Sequence, residues 1–206
     1  PALRRQDPLV SASAAAVAES RRFEIDGAAL HDWTRPLFPK LAPGRERLHL
    51  AACHLSDIAW AEHPDYRAEI AFLRTLRMPL TGIDHPGRAF LALALFTRHD
   101  GTPEGGVTNA AWRLLDEDGL AEAWRLGLAL RLAFTLSAGM PGVLRQVRLE
   151  MTGRNVTLAV PARARALVGE AVERRLDALA RTLDRRARIR FAPSGPAPSG
   201  PAPSGR

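Results

Sequence analysis

Leu50-Ala-Ala-Cys-His-Leu-Ser-Asp-Ile-Ala-Trp60, followed at once by Ala61-Glu-His-Pro-Asp-Tyr-Arg67, is the stretch on which the fold reading turns. Leu48, Ala51, Ala52, Leu55, Ile58 and Ala59 recur at helical spacing and make one continuous apolar face. They predict a helix over 45–61. The adjoining face carries His49, Cys53, Ser56, Asp57 and Trp60. Pro64 then opens a second helix over 64–77, and Met78-Pro79 closes it.

Upstream, Asp7-Pro8 reads as N-cap and first helical residue of a helix over 8–22, and Asp26 opens another over 27–38 that ends near Pro36 and Pro39. Downstream, Asp84-His-Pro-Gly caps a helix running to about Arg98. Phe90, Leu91, Leu93, Ala94, Leu95 and Phe96 make it apolar nearly all round, so it belongs at the centre of a bundle. Residues 101–106 form a loop. Helices over 108–116 and 119–137 follow, the second carrying Trp124, Leu128, Leu132 and Phe134, and Pro141-Gly142 ends the helical part.

The period then changes. Val147, Leu149 and Met151 alternate with Gln146, Arg148 and Glu150, residues 152–155 turn, and Val156, Leu158 and Val160 alternate again. That pattern is a hairpin with one buried face. A helix over 162–185 presents Val168, Val172, Leu176, Leu179 and Leu183 as one stripe, and residues 187–191 alternate as a third strand. The fold class expected is mainly α with a small α+β end: a helical domain over 1–142 and a β-β-α-β subdomain over 143–191. A tail over 192–206 repeats Pro-Ala-Pro-Ser-Gly, has no large apolar side chain, and is expected to be disordered.

At 206 residues and 46% hydrophobic, the chain can bury one substantial core. Its net charge of +7 is carried by arginine, since Lys40 is the sole lysine among 29 basic residues. Guanidinium groups hold phosphate in a bidentate fork and stay charged near neutral pH, so the excess favours a polyanion. Cys53 is the single cysteine, which rules out an internal disulfide and suits a reducing cytoplasm. Pro1-Ala-Leu-Arg-Arg has no signal-peptide character, and the apolar run over 126–138 is short and broken by Arg131. A cytoplasmic protein with no membrane partner is expected.

Leu55-Ser-Asp-Ile-Ala59 resembles the Leu-His-Asp-Ile-Gly core of HD-type metal phosphohydrolases, with Ser56 where the metal-binding His would stand. Gln6-Asp-Pro-Leu9, Trp33-Thr-Arg-Pro-Leu-Phe38, residues 51–67 and Gly82-Ile-Asp-His-Pro-Gly-Arg-Ala-Phe-Leu-Ala-Leu-Ala94 together resemble one family. It is the exopolyphosphatase and guanosine pentaphosphate phosphatase family, in its alphaproteobacterial form, and the likeness covers the C-terminal helical region over 3–191. The resemblance implies an HD-like helical bundle whose own metal chemistry has lapsed. It implies a parent enzyme that removes the terminal phosphate of polyphosphate, or the 5'-phosphate of guanosine pentaphosphate, with Mg²⁺. The family's actin-like catalytic half carries glycine-rich phosphate loops and a catalytic Glu. This sequence has no match to them: Gly105-Gly106 is its one Gly pair, and no strand precedes it. The chain is therefore expected to hold no catalytic residue and no cofactor, to be inactive alone, and to partner an actin-like catalytic domain, polyphosphate or another phosphate polyanion, and a second copy of itself.

His63-Pro64 and His85-Pro86 both open helices, and Arg67 and Arg88 lie one turn inside them. Helix N-termini present free N–H groups to anions. His63, Arg67, His85 and Arg88 are thus the candidate polyphosphate ligands, if the two ends converge; the alternative is that each end is a structural cap. Asp57, His63 and His99 are the residues left for a metal, with Ser56 a poor ligand among them. His54 could pair with Asp57, the alternative being contact with a neighbour on its own helix. Cys53 and the four tryptophans read as core, and Arg148, Arg188 and Arg190 as an exposed basic sheet face. The rival readings are a stand-alone HD-type metal-dependent phosphohydrolase, against which Ser56 argues, and a basic nucleic-acid-binding module, for which no reading motif is present.

Overall fold

Side-chain caps set most of the helix starts. In a computed structural model describing residues 7–18, 26–102, 106–140 and 142–192, the Asp7 carboxylate accepts the amides of Leu9 and Val10 at 2.9 and 3.2 Å, at the head of α1 (Pro8–Ala18). Asp26 accepts from Ala28 before α2 (Gly27–Thr34), and Asp84 from Gly87 before α5 (His85–Arg98). Between them lie α3 (Pro43–Leu55) and α4 (Pro64–Arg77). The stretch of the first expected helix beyond Ala18 lies outside the described residues; of the tail expected over 192–206, Ala192 is the last residue of a strand and 193–206 lie outside the described residues.

Several boundaries differ from the periodic reading, each for a local reason. The helix expected to reach residue 61 stops at Leu55, because the Ser56 hydroxyl donates to the Cys53 carbonyl at 2.7 Å and competes with the helix ladder. Residues 56–61 continue as tight turns, with Ile58 N bonded to Leu55 O and Trp60 N to Asp57 O. The apolar face survives the change: Leu48, Ala51, Ala52, Leu55, Ile58 and Ala59 are all buried. The expected helix over 27–38 is α2 plus a 3-10 turn, Arg35–Leu37.

The element expected over 108–116 is only a 3-10 turn, Gly106–Thr108, and the short α6 (Asn109–Trp112). Asp116 instead accepts from the Gly119 amide at 2.8 Å and starts α7 (Glu117–Ser137). A short α8 (Val143–Gln146) precedes the sheet. The long helix expected over 162–185 is a 3-10 stretch, Ala162–Leu167, then α9 (Glu170–Arg181), separated where Gly169 takes an extended conformation.

The sheet is β1 (Arg148–Thr152), β2 (Asn155–Pro161) and β3 (Arg186–Ala192), in that order. β1 pairs antiparallel with β2, and β3 lies parallel to β2, with α9 as the crossover. Leu149, Leu158 and Ile189 are in register on the face turned to the core. The molecule is thus mainly helical with a small α+β end.

The bundle forms around α5, where Ala89, Phe90, Leu91 and every residue on to Thr97 are buried. α7 and α4 flank it, and α9 packs on α7. Gly127 lets α7 approach α5 closely, since a Cβ there would lie 2.5 Å from the Ala94 carbonyl oxygen. One hydrophobic core runs from Leu9 through the bundle to Val156 and Leu179. Trp33 belongs to it, and its indole donates to the Val147 carbonyl at 2.9 Å. Trp124 does not: it is 40% exposed, against the expectation that all four tryptophans are core. Cys53 is fully enclosed between α2 and α3. Among the described residues no helix is long and apolar enough to cross a membrane.

Candidate functional site

The short connection over 78–84 folds α4 and α5 into an antiparallel hairpin. Each helix has fourteen residues, so their N-termini lie about 20 Å apart at 1.5 Å per residue. The two His-Pro ends therefore do not converge, and the single pocket that His63, Arg67, His85 and Arg88 would have made is not formed. At one end Asp84 already occupies the first turn of α5, His85 is exposed, and the Arg88 guanidinium faces backbone. It donates to the carbonyls of Met78 at 2.5 Å and Leu80 at 3.2 Å, closing the last turn of α4 and the connection after it. At the other end His63 Nδ1 accepts the Asp65 amide at 3.3 Å and the ring stays exposed.

Arg67 has a different neighbourhood. Its guanidinium is oriented by two bonds to the Glu62 carbonyl, 3.1 and 2.7 Å, and it stands on the wall of a cleft of about 490 Å³. The cleft lies where the start of α4, the end of α5 and the last turns of α7 meet α9. Arg98, His99, Arg131 and Arg175 line it with Arg67.

Arg98 is the fixed part. Its side chain is 12% exposed, its guanidinium carbon lies 3.8 Å over the Phe134 ring, and Nη2 is 3.9 Å from Asp57 Oδ1. Burial pulls its pKa down to about 9, and the Asp57 carboxylate opposes that shift. His99 sits beside it at 6% exposure, and neither ring nitrogen has a hydrogen-bond partner among the described residues. Burial first, then the charges of Arg98 and Arg67, push its pKa down to about 2, so the ring is neutral at working pH.

Arg131 pairs with Asp100, which holds a left-handed backbone conformation at φ 80°. Such a conformation is costly for a residue with a Cβ and recurs at functional sites. Arg175 is half-buried on α9 and makes no ion pair among the described residues. Burial, then the charge of Arg131, lowers its pKa. Four guanidinium groups thus meet two carboxylates, Asp57 and Asp100. The cleft carries an excess of two positive charges.

Asp57, His63 and His99 are not gathered: Asp57 turns to Arg98, His63 caps α4 in solvent, and His99 lines the cleft alone. Among the described residues no group of three or more His, Cys, Asp or Glu side chains is placed to hold a metal, so these donors do not fit a divalent ion. His54 lies against Gly27, where its ring stands 2.4 Å from the place a Cβ would take. His49, buried on α3 between Phe38 and Phe90, bonds to Glu122 at 2.6 Å and is part of the core.

Arg148, Arg188 and Arg190 are exposed on the sheet face away from the core, and Arg190 forks onto Glu150 at 2.9 and 3.1 Å. Sequence reading missed three of the four cleft arginines. Arg131 left a signal, a charge inside an apolar run; Arg98 sat beside a candidate His; Arg175 left none.

Residues 8–190 match the family described as exopolyphosphatase, C-terminal, a span that takes in every helix and all but the last two residues of β3. No curated protein matches the chain.

Proposed function

The chain belongs to the exopolyphosphatase C-terminal family, and from that premise we propose that it is the accessory part of an enzyme that shortens polyphosphate, holding the phosphate polyanion while an actin-like catalytic domain outside these residues cleaves it with Mg²⁺. The observation that carries the reading is the arginine cleft between α4, α5, α7 and α9. A polyanion of linked phosphates offers rows of acceptor oxygens, and guanidinium groups meet them with paired N–H donors at no cost in protonation. Self-association into a homodimer and work in the cytoplasm belong to the same reading, with exposed Trp124 as an apolar contact a second copy would cover. A stand-alone phosphohydrolase finds less support, since Asp57 faces a guanidinium and the Ser56 hydroxyl is bonded to Cys53 O.

The test is a calorimetric titration with long-chain polyphosphate at several salt concentrations. Affinity should fall steeply with salt as paired arginines release counterions. The double variant Arg131→Ala, Arg175→Ala should weaken binding by about 1.5–3 kcal/mol for each guanidinium–phosphate hydrogen bond removed, and should flatten the salt slope. Unchanged affinity at equal salt would remove the cleft from the reading, and tighter binding of a DNA duplex would favour the nucleic-acid module. With Mg²⁺, the chain alone should release no phosphate from polyphosphate above a heat-treated control. Release that Asp57→Ala abolishes would overturn the accessory role.

A further inference from the structure

Arg98 and His99 leave hydrogen-bonding capacity unused on one wall of the cleft. Arg98 Nε and both ring nitrogens of His99 are buried and have no partner among the described residues. Buried polar groups left unpaired cost about 1–3 kcal/mol each, so a ligand that bonds them recovers that energy. A neutral imidazole has one N–H to give and one lone pair to receive. It therefore suits a ligand that both accepts and donates.

An interior unit of a phosphate chain has acceptor oxygens only. Free hydrogenphosphate keeps a P–OH throughout the neutral range because its remaining proton ionises only in strong base, and a chain-end phosphoryl group, whose last ionisation falls around pH 6–7, keeps one in part. Hydrogenphosphate bears two negative charges, matching the cleft's excess of two positive ones. Resting on the polyphosphate-binding reading above, we propose that this cleft recognises a phosphoryl group that ends in P–OH, free or at a chain terminus. Arg98 and His99 form one wall of that site and Arg175 is the arm that draws α9 onto the bundle.

The arm follows from where Arg175 comes from. Arg67, Arg98 and Arg131 belong to the helical part, whereas Arg175 stands on the crossover helix of the sheet. Arg131 repels Arg175 across the α7–α9 contact, and Asp100, ion-paired to Arg131, offsets only part of that. An anion between them turns that repulsion into a bridge. Occupancy of the cleft is thereby coupled to how firmly α9, and with it β3, is held.

The experiment uses the full chain and four probes: orthophosphate, linear tripolyphosphate, cyclic trimetaphosphate and sulfate. Trimetaphosphate has phosphoanhydride units without ends, and sulfate is a dianion without an OH near neutral pH. Calorimetry should show orthophosphate and tripolyphosphate binding at least about ten-fold more tightly than the other two, a difference of one power of ten in Kd. Orthophosphate binding alone would identify the free ion as the source, and a further gain for tripolyphosphate the chain end. Amide hydrogen exchange over 170–181 should slow on binding in the parent.

The slowing should be lost in Arg175→Met, which keeps the stem's packing. His99→Leu should abolish the preference for phosphate over sulfate, and His99→Gln, which retains a donor and an acceptor, should restore part of it even if the Leu variant folds poorly. Trimetaphosphate or sulfate binding as tightly as orthophosphate overturns the end-group recognition. Equal slowing in Arg175→Met overturns the arm. Long polyphosphate binding with no response to the small probes sinks this inference alone; no binding of any phosphate sinks the parent reading as well.

Discussion

Replacing Arg88 by Ala removes the guanidinium that holds the carbonyls of Met78 and Leu80 at the end of α4. Those acceptors are part-buried, so the loss should be about 1.5–3 kcal/mol, seen as a lower urea midpoint at unchanged slope. Polyphosphate affinity of the folded variant should not change. A stable variant that binds polyphosphate poorly would return Arg88 to the role its position one turn into a helix first suggested. His99 gives a pH signature. Its folded pKa, about 2, lies below the unfolded value of about 6.5, so the unfolded chain binds the extra proton between them. Stability is therefore complete above about pH 6.5 and falls as pH drops, by up to about 1.4 kcal/mol per pH unit for one site. His31, lowered first by burial and then by His49, adds in the same direction. Urea midpoints between pH 7.5 and 5.5 should show the decline, and His99→Gln should flatten it; an unaltered slope would mean that the ring is not buried neutral.

At the scale of elements, the packing of α5 on α7 depends on Gly127. A Cβ there would stand 2.5 Å from Ala94 O and 2.5 Å from Thr97 Cβ, so Gly127→Ala must push the two helices apart. The expected cost is about 1–3 kcal/mol of overpacking, set against the roughly 1 kcal/mol that Ala gains over Gly inside a helix. Gly44→Ala, with nothing within 4 Å of the new methyl, is the control and should leave Tm unchanged or slightly higher. Equal Tm shifts in the two variants would mean that the contact can yield. Helix interiors were legible because burial imposes a period, and starts at Asp7, Asp26 and Asp84 because a carboxylate just before a helix accepts its free first-turn amides. Helix ends were harder. Ser56 stops α3 through one hydroxyl bond, and Gly169 separates α9 from the preceding turn by a backbone angle, while the hydrophobic stripe runs on through both. Arg67 could be found from a helix start. Arg175 could not, because the packing of α9 on α7 brings it to the cleft and no local spacing encodes that.

One core joins the bundle to the sheet, and among the described residues two long-range bonds tie the bundle to the segments that flank the strands: Trp33 to Val147 O and Arg125 to Thr182 O. The chain should accordingly unfold in a single transition, with far-UV and near-UV signals superimposing. Trp33→Phe, which strands a buried carbonyl, should lower that transition by about 1–3 kcal/mol without splitting it. Two resolved steps would show that bundle and sheet melt separately. The same enclosure gives Cys53 an unplanned use. As the chain's single thiol, walled in between α2 and α3 and with its pKa driven up by burial, it is invisible to alkylating reagents while the wall is shut. The speed at which the native protein takes up one equivalent of label thus times how often α2 lifts from α3, a stopwatch already in the wild-type chain and independent of any ligand.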